Sequence, residues 1–182
     1  MNEKVIKFGL YPQSIKENNV IINNIKDING YYLGNDGNKY VMVQTKMIDD
    51  NVTFINGEGV NSNSIYYFKV EPIYWQILKE TSKYYILFCD NIIDTCIYDM
   101  YTNNYEESYI REWLNNNFYL QAFNVEERKQ IRRITIDNSL ESTNDTINAY
   151  VSSNTSDKVF LLSTNEIFSS DYGFVNKTRK NY

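Results

Sequence analysis

The stretch from Ser108 to Ile131, SYIREWLNNNFYLQAFNVEERKQI, does most to narrow what this chain can fold into. Ser108 stands where an N-cap belongs, its hydroxyl able to accept a backbone N–H that the first helical turn leaves unpaired. Ile110, Trp113, Leu114 and Phe118 then fall at i, i+3, i+4 and i+8, one apolar stripe of helical period. Asn115, Asn116 and Asn117 are poor helix formers, so the helix is expected to fray there. Tyr119 to Phe123 add a second apolar cluster. Asn124 followed by Glu127 has the spacing of a capping box, with Asn in place of the usual Ser or Thr. Val125 and Ile131 are expected to turn that second helix inward. Trp113 on such a stripe reads first as a core anchor; the sharper reading is a stacking platform for a ligand.

Strands account for much of the rest. Val5 to Tyr11 reads as a strand ended by Pro12. Lys16 to Gly37 is rich in Asn and in turn formers, with Gly30, Gly34 and Gly37 as breakers. Lys39 to Met47 and Val52 to Ile55 alternate as strands do, and Asn56 to Asn63 reads as a loop. Ile65 to Val70 is a further strand, and Ile73 to Lys79 pairs with Tyr84 to Cys89 as a hairpin through the turn Glu80 to Lys83. Asp90 to Glu107 is a long polar connection into the helices. Ile134 to Ile136 reads as a short strand, Asp137 to Asp157 as a loop, and Val159 to Leu162 as a buried strand. Ser163 and Glu166 have a second capping-box spacing that opens a short helix. Strands first and a helical pair later make an α+β domain with a mixed or antiparallel sheet and two short adjacent helices, not alternating βα units. The expected core holds Trp75, Ile77, Leu87, Trp113, Leu114, Phe118, Phe123, Phe160 and Leu162. With 182 residues, no internal repeat and no interdomain linker, 1–182 is expected to be a single domain.

Composition removes several chemistries. There is no His, which excludes His-based triads, His acid–base catalysis and most zinc sites. Two cysteines, Cys89 and Cys96, are too few for a disulfide scaffold. Cys89 lies in the apolar run YYILFCD, where a buried thiol is the default; a Cys89–Cys96 bridge is left open by spacing. The formal net charge is −5, whereas duplex binding calls for a basic face. The one basic cluster, Arg128, Lys129, Arg132 and Arg133, reads as the solvated side of the second helix and the start of the next strand. Nucleic acid is therefore not an expected partner. No run reaches transmembrane length and no signal-peptide apolar region follows Met1, so a soluble protein without membrane insertion is expected.

Few constellations carry chemistry. Asp90, Asp94 and Asp99 cluster in one loop, but their spacing matches no calcium loop and a solvated loop is the better reading, so no metal is expected. Asp49 and Asp50 read as a turn. Glu106 and Glu107 are placed to complement the positive end of the following helix. Asn51-Val52-Thr53 and Asn154-Thr155-Ser156 match glycosylation sequons and read as composition; Gly57 to Gly59 lacks the third Gly and helix of a nucleotide loop. No catalytic residue and no cofactor is assigned. What remains is aromatic and amide: Tyr98, Tyr101 and Tyr105 sit in the long connection that leads into a rigid helix, where binding residues tend to lie. Packing over the core is the plainer role for them. These residues point to a non-catalytic module for a glycan, a peptide or another protein, with an enzyme using Cys89, Cys96 or loop carboxylates as the competing class.

Five blocks in this order resemble an uncharacterised bacterial family built on a domain of unknown function: FGLYPQ from Phe8, YFKVEPIYWQIL from Tyr67, LFCDNIIDTCIYD from Leu87, IREWLNNNFYLQAF from Ile110 and DKVFLLSTNEIF from Asp157. That family in turn resembles the C-type-lectin-like fold shared with formylglycine-generating enzymes, which implies a C-type-lectin-like α+β domain. Members of the family continue into a tryptophan-rich segment and a terminal strand, whereas this chain stops at KTRKNY, Lys177 to Tyr182, so the resemblance implies a domain lacking the family's C-terminal segment. The catalytic cysteines of formylglycine-generating enzymes lie toward the C-terminal part of their domain and do not map onto Cys89 or Cys96.

Overall fold

A computed structural model provides the fold and describes residues 5–46, 52–54, 56–89, 91–143, 150–175 and 178–179. The turn at Asp49 and Asp50, the sequon residue Asn51, and Asp90 lie outside the described residues. The fold is α+β, an antiparallel sheet with a few short helices. The chain divides into two compact units, Leu10–Pro72 and a larger one of Met1–Gly9 with Ile73–Tyr182. Two long strands, β1 (Val5–Ile15) and β5 (Ile65–Glu80), run through the division.

In the smaller unit, β2 (Ile22–Lys26), β3 (Tyr32–Gly34) and β4 (Lys39–Gln44) form an antiparallel meander that joins β5, in the order β1-β5-β4-β3-β2. The Asn-rich region expected to be turns thus contains two strands as well. Its turns are specified by local chemistry: Asp27 Oδ1 accepts the Asn29 and Tyr31 N–H groups at 2.9 Å, and Asp36 Oδ1 accepts that of Asn38 at 3.1 Å. Such Asx turns close the hairpins that alternation alone did not reveal. Tyr40, 2% exposed, is the centre of this unit's core with Tyr11 and Val20. Its hydroxyl donates to Asp36 at 2.7 Å; with the Asn38 amide the stronger influence, this holds the Asp36 carboxyl at about 2, while burial pushes the Tyr40 phenol to about 12.

Pro12, expected to end its strand, and Pro72, which falls between two expected strands, are both incorporated. Pro12 lies within β1, which is at an end of the sheet order, where a missing N–H is tolerated. Pro72 lies within β5, between the β4 ladder that ends at Lys69 and a ladder that begins at Trp75, so it interrupts neither.

In the larger unit, β5 pairs with β6 (Tyr85–Cys89) as the expected hairpin. The helical run is α1 (Tyr109–Trp113), a wide π turn (Leu114–Phe118), α2 (Tyr119–Ala122), then α3 (Val125–Gln130). Ser108 Oγ accepts the Arg111 N–H at 3.4 Å as the N-cap, and the Asn124–Glu127 capping box is complete. The three asparagines widen the helix instead of fraying it. Val125 is 58% exposed and α3 buries no residue, so its first turn does not point inward as expected. β7 (Ile134–Ile136) pairs with β8 (Thr155–Asp157), with α4 (Leu140–Thr143) in the expected loop between them. Val159 to Leu162 is not a strand; the paired residues nearby are those of β8, one residue further back. Short β9 (Phe174–Val175) and β10 (Thr178–Arg179) pair with each other. Of the expected core, Leu114, Phe118 and Phe123 are buried, whereas Trp75, Ile77, Leu87, Trp113, Phe160 and Leu162 are half-buried.

Candidate functional site

Five of those half-buried residues, all but Ile77, have a common cause: in the larger unit they line a cavity of about 1130 Å³. β5 and β6, the helical run and the segment after β8 each supply a wall. Trp75 is fixed by its indole N–H, which donates to Phe8 O at 2.7 Å, and by its ring stacking on Phe123 at 6.2 Å. Trp113 packs on Phe118 with centroids 5.8 Å apart, and Phe88 meets Phe174 edge-on at 5.8 Å. The lining is mostly aromatic and aliphatic, with Cys89, Cys96 and a few polar and charged residues in it.

A polar scaffold holds the helical wall to the segment after β8. Asp157 is 1% exposed, and Arg111 Nε donates to its two carboxylate oxygens at 2.9 and 3.0 Å. Arg111 Nη1 donates to Glu106 O at 2.9 Å, and Thr155 Oγ1 donates to Asp157 at 2.6 Å. The hydrogen bonds it donates to Asp157 hold the Arg111 guanidinium above its usual pKa. Asn115, in the π turn, clasps the next residues: its Oδ1 accepts the Lys158 N–H at 2.9 Å and its Nδ2 donates to Val159 O at 2.8 Å. This occupies the peptide groups that a strand at Val159 would have used.

The sequence-expected site residues lie elsewhere. Tyr98, Tyr101 and Tyr105 are not among the cavity-lining residues. Tyr98 is 38% exposed and its hydroxyl donates to Asn103 O at 3.2 Å; burial pushes its phenol pKa up. Tyr101 is 94% exposed. Tyr105 is half-buried, and burial first, then the Asp157 charge, pushes its phenol up. Its carbonyl accepts from the Ser108 hydroxyl at 2.9 Å, so its backbone belongs to the helix cap. Asp99 organises the loop: its oxygens accept the N–H groups of Tyr101, Thr102 and Tyr109 at 2.6 to 2.9 Å, which lowers its pKa. Glu106 accepts the Ser153 N–H at 3.0 Å, a cross-link between distant parts of the chain.

Cys89 and Cys96 stand as half-buried thiols. Cys89 donates to Asn91 O at 3.3 Å; burial, then the Asp94 carboxylate, push the Cys96 pKa up. Among the described residues no cluster of Cys, Asp and Glu could hold a metal ion, and no helix is long and apolar enough to cross a membrane. Sequence reasoning missed the cavity because apolar periodicity marks residues that avoid water, and does not tell a filled core from a lined space. Arg111 and Asp157 were also missed; their partnership spans the helices and β8, and no local spacing announces it.

No curated protein and no solved structure matches this chain. Residues 77–182, which carry β6, the whole helical run and every wall of the cavity except Ile6, Phe8 and Trp75, match the family model described as Domain of unknown function (DUF6273), and the chain belongs to that family.

Proposed function

We propose that this protein is a non-catalytic binding module that seats an apolar ligand in the cavity of its larger unit. The observation that carries this reading is a cavity of about 1130 Å³ walled by Trp75, Trp113, Phe118 and Phe123. Ligand sites are concave and mostly apolar, with few polar groups. Of the expected partner classes, a glycan fits this lining least, because its hydroxyls would lose water without gaining partners. The thiol form of the competing enzyme reading needs a reactive thiolate, and the Cys96 pKa is shifted the other way. A neutral solvatochromic dye, Nile red, should bind saturably at one site per chain. Leu87→Glu, which puts a charge on the lining, should weaken it about tenfold with the far-UV circular dichroism unchanged. Unsaturable dye binding, or equal affinity in Leu87→Glu, would refute the assignment.

A second contact surface is favoured by a separate observation. Tyr101, 94% exposed, is on a loop braced by the Asp99 carboxylate, which suits a rigid aromatic contact for a partner. Tyr101→Ala and Tyr105→Ala test it. If a ligand is found and neither weakens it by more than about 0.5 kcal/mol, the loop is not the surface.

A further inference from the structure

The charges around the cavity run against those of the chain. Overall the protein carries −5, from 18 Lys and Arg against 23 Asp and Glu. The charged residues that line the cavity are Lys83, Lys129, Arg132 and Lys158 against Asp94 alone. Lys129 is matched by Glu126 at 2.7 Å. Arg132 and Lys158 have no carboxylate partner among the described residues. Lys158 Nζ lies 4.0 Å from the Tyr119 ring centroid and donates to its hydroxyl, a neutral partner that leaves its charge uncompensated.

The fold brings these cations together. β7 and β8 pair with Ile134 opposite Asp157, so the residues just before β7 and just after β8 share one end of the ladder. Lys158 is the residue just after β8, and Arg132 lies two residues before β7. Arg133 donates from its guanidinium to Ser156 O at 2.8 Å, while Arg132 and Lys158 line the cavity. Asn115 and the Arg111–Asp157 pair fix the β8 end of this arrangement.

An apolar cavity with two uncompensated cations at one end, in an acidic protein, fits a ligand with an apolar body and an anionic head. We infer that the cavity takes a single-chain amphiphile of the long-chain carboxylate class, its tail among the tryptophans and its head at Arg132 and Lys158. This rests on the reading that the cavity is the ligand site. A carboxylate can accept a charge-assisted hydrogen bond from each cation, and electrostatic complementarity then selects it over a neutral amphiphile of equal length.

The chain contains two tryptophans, Trp75 and Trp113, and both line the cavity, so its intrinsic emission reports occupancy. Laurate, kept below its micelle concentration at pH 8, and its neutral glyceryl ester are titrated into the full chain, with Nile red displacement in parallel. Laurate should saturate one site about tenfold more tightly than the ester. Arg132→Ala with Lys158→Ala, and Arg132→Ala alone, should weaken laurate by about tenfold and about threefold and leave the ester unchanged; Lys26→Ala, in the smaller unit and outside the cavity lining, should change neither. Equal affinity for the two ligands, unaltered by these variants, would overturn the anionic-head assignment while leaving the cavity as the site. Binding of Nile red but of neither amphiphile, or its displacement only by an apolar peptide, would overturn it as well. Failure of the dye to bind would instead remove the underlying reading.

Discussion

Gly9 has φ +81°, a conformation that side-chain-bearing residues rarely adopt. A Cβ there would lie 2.8 Å from Ala122 O and from the Phe123 ring. Its N–H donates to Glu127 Oε1 at 3.1 Å, while Glu127 Oε2 accepts the Asn124 N–H. One glutamate thus completes the capping box and ties β1 to the start of α3. Gly9→Ala is expected to destabilise the protein by about 2 kcal/mol or more, through strain and steric conflict together, read as a lower denaturant midpoint at unchanged slope. Arg111→Ala should cost more, about 3–5 kcal/mol, because Asp157 would remain buried without its cation. Arg111→Lys should recover only part of that, since a lysine cannot make the paired contacts with both oxygens. An Arg111→Ala variant as stable as the parent would show that Asp157 gains water or another partner. The capping box was legible because its chemistry is local: Asn124 and Glu127 are three residues apart and satisfy each other. Gly9 was not, because its constraint comes from Phe123, which sequence distance hides.

The helical elements were read from their stripe and caps, and the structure keeps both ends. What spacing could not tell is how Asn115, Asn116 and Asn117 behave. As isolated residues they favour fraying. In the fold, the Asn115 side chain has more to gain across the gap than along its own helix, donating to Arg111 O at 3.1 Å and to Val159 O and accepting from Lys158 N. The helix widens to place it there. The same reasoning explains the lost Val159 strand and the two prolines kept inside strands: partners distant in sequence decide where a ladder begins and ends. At the other end of α1, the Asp99 carboxylate accepts the Tyr109 N–H along with two from its own loop. Its pKa is lowered in the folded protein from an ordinary 3.8, so its contribution is fully present above that value and is lost as pH falls through the lower, folded pKa. Amide exchange at Tyr109 should therefore accelerate as pH drops below about 4, relative to core amides, after correction for intrinsic rates. In Asp99→Asn that acid-dependent step should vanish. An identical profile in the variant would assign the step to another group.

At the scale of the molecule, fold class followed from element order, since strands preceding a helical pair leave little but an antiparallel α+β arrangement. The division into two units and the cavity did not, because both depend on how apolar surfaces meet, and period alone is silent on that. Both thiols are in the cavity lining, which makes thiol chemistry a test of the whole reading. A free cysteine is a few per cent thiolate at pH 7, and the thiolate is the species that reacts. Burial and the Asp94 charge raise the Cys96 pKa, so its thiolate fraction at pH 7 is smaller than that of a free cysteine, and its reaction should grow as pH rises through the ordinary thiol range and beyond. In the native protein Cys96 should label more slowly than a cysteine in unfolded chain, because its raised pKa leaves less thiolate. An occupant of the cavity should slow both Cys89 and Cys96 further, because they share its lining. Residue-resolved alkylation at pH 7, with and without saturating ligand, followed by mass spectrometry, reads both effects at once. Rapid labelling of either cysteine in the unoccupied protein would restore the enzyme reading, and labelling rates indifferent to a bound ligand would place that ligand outside the cavity.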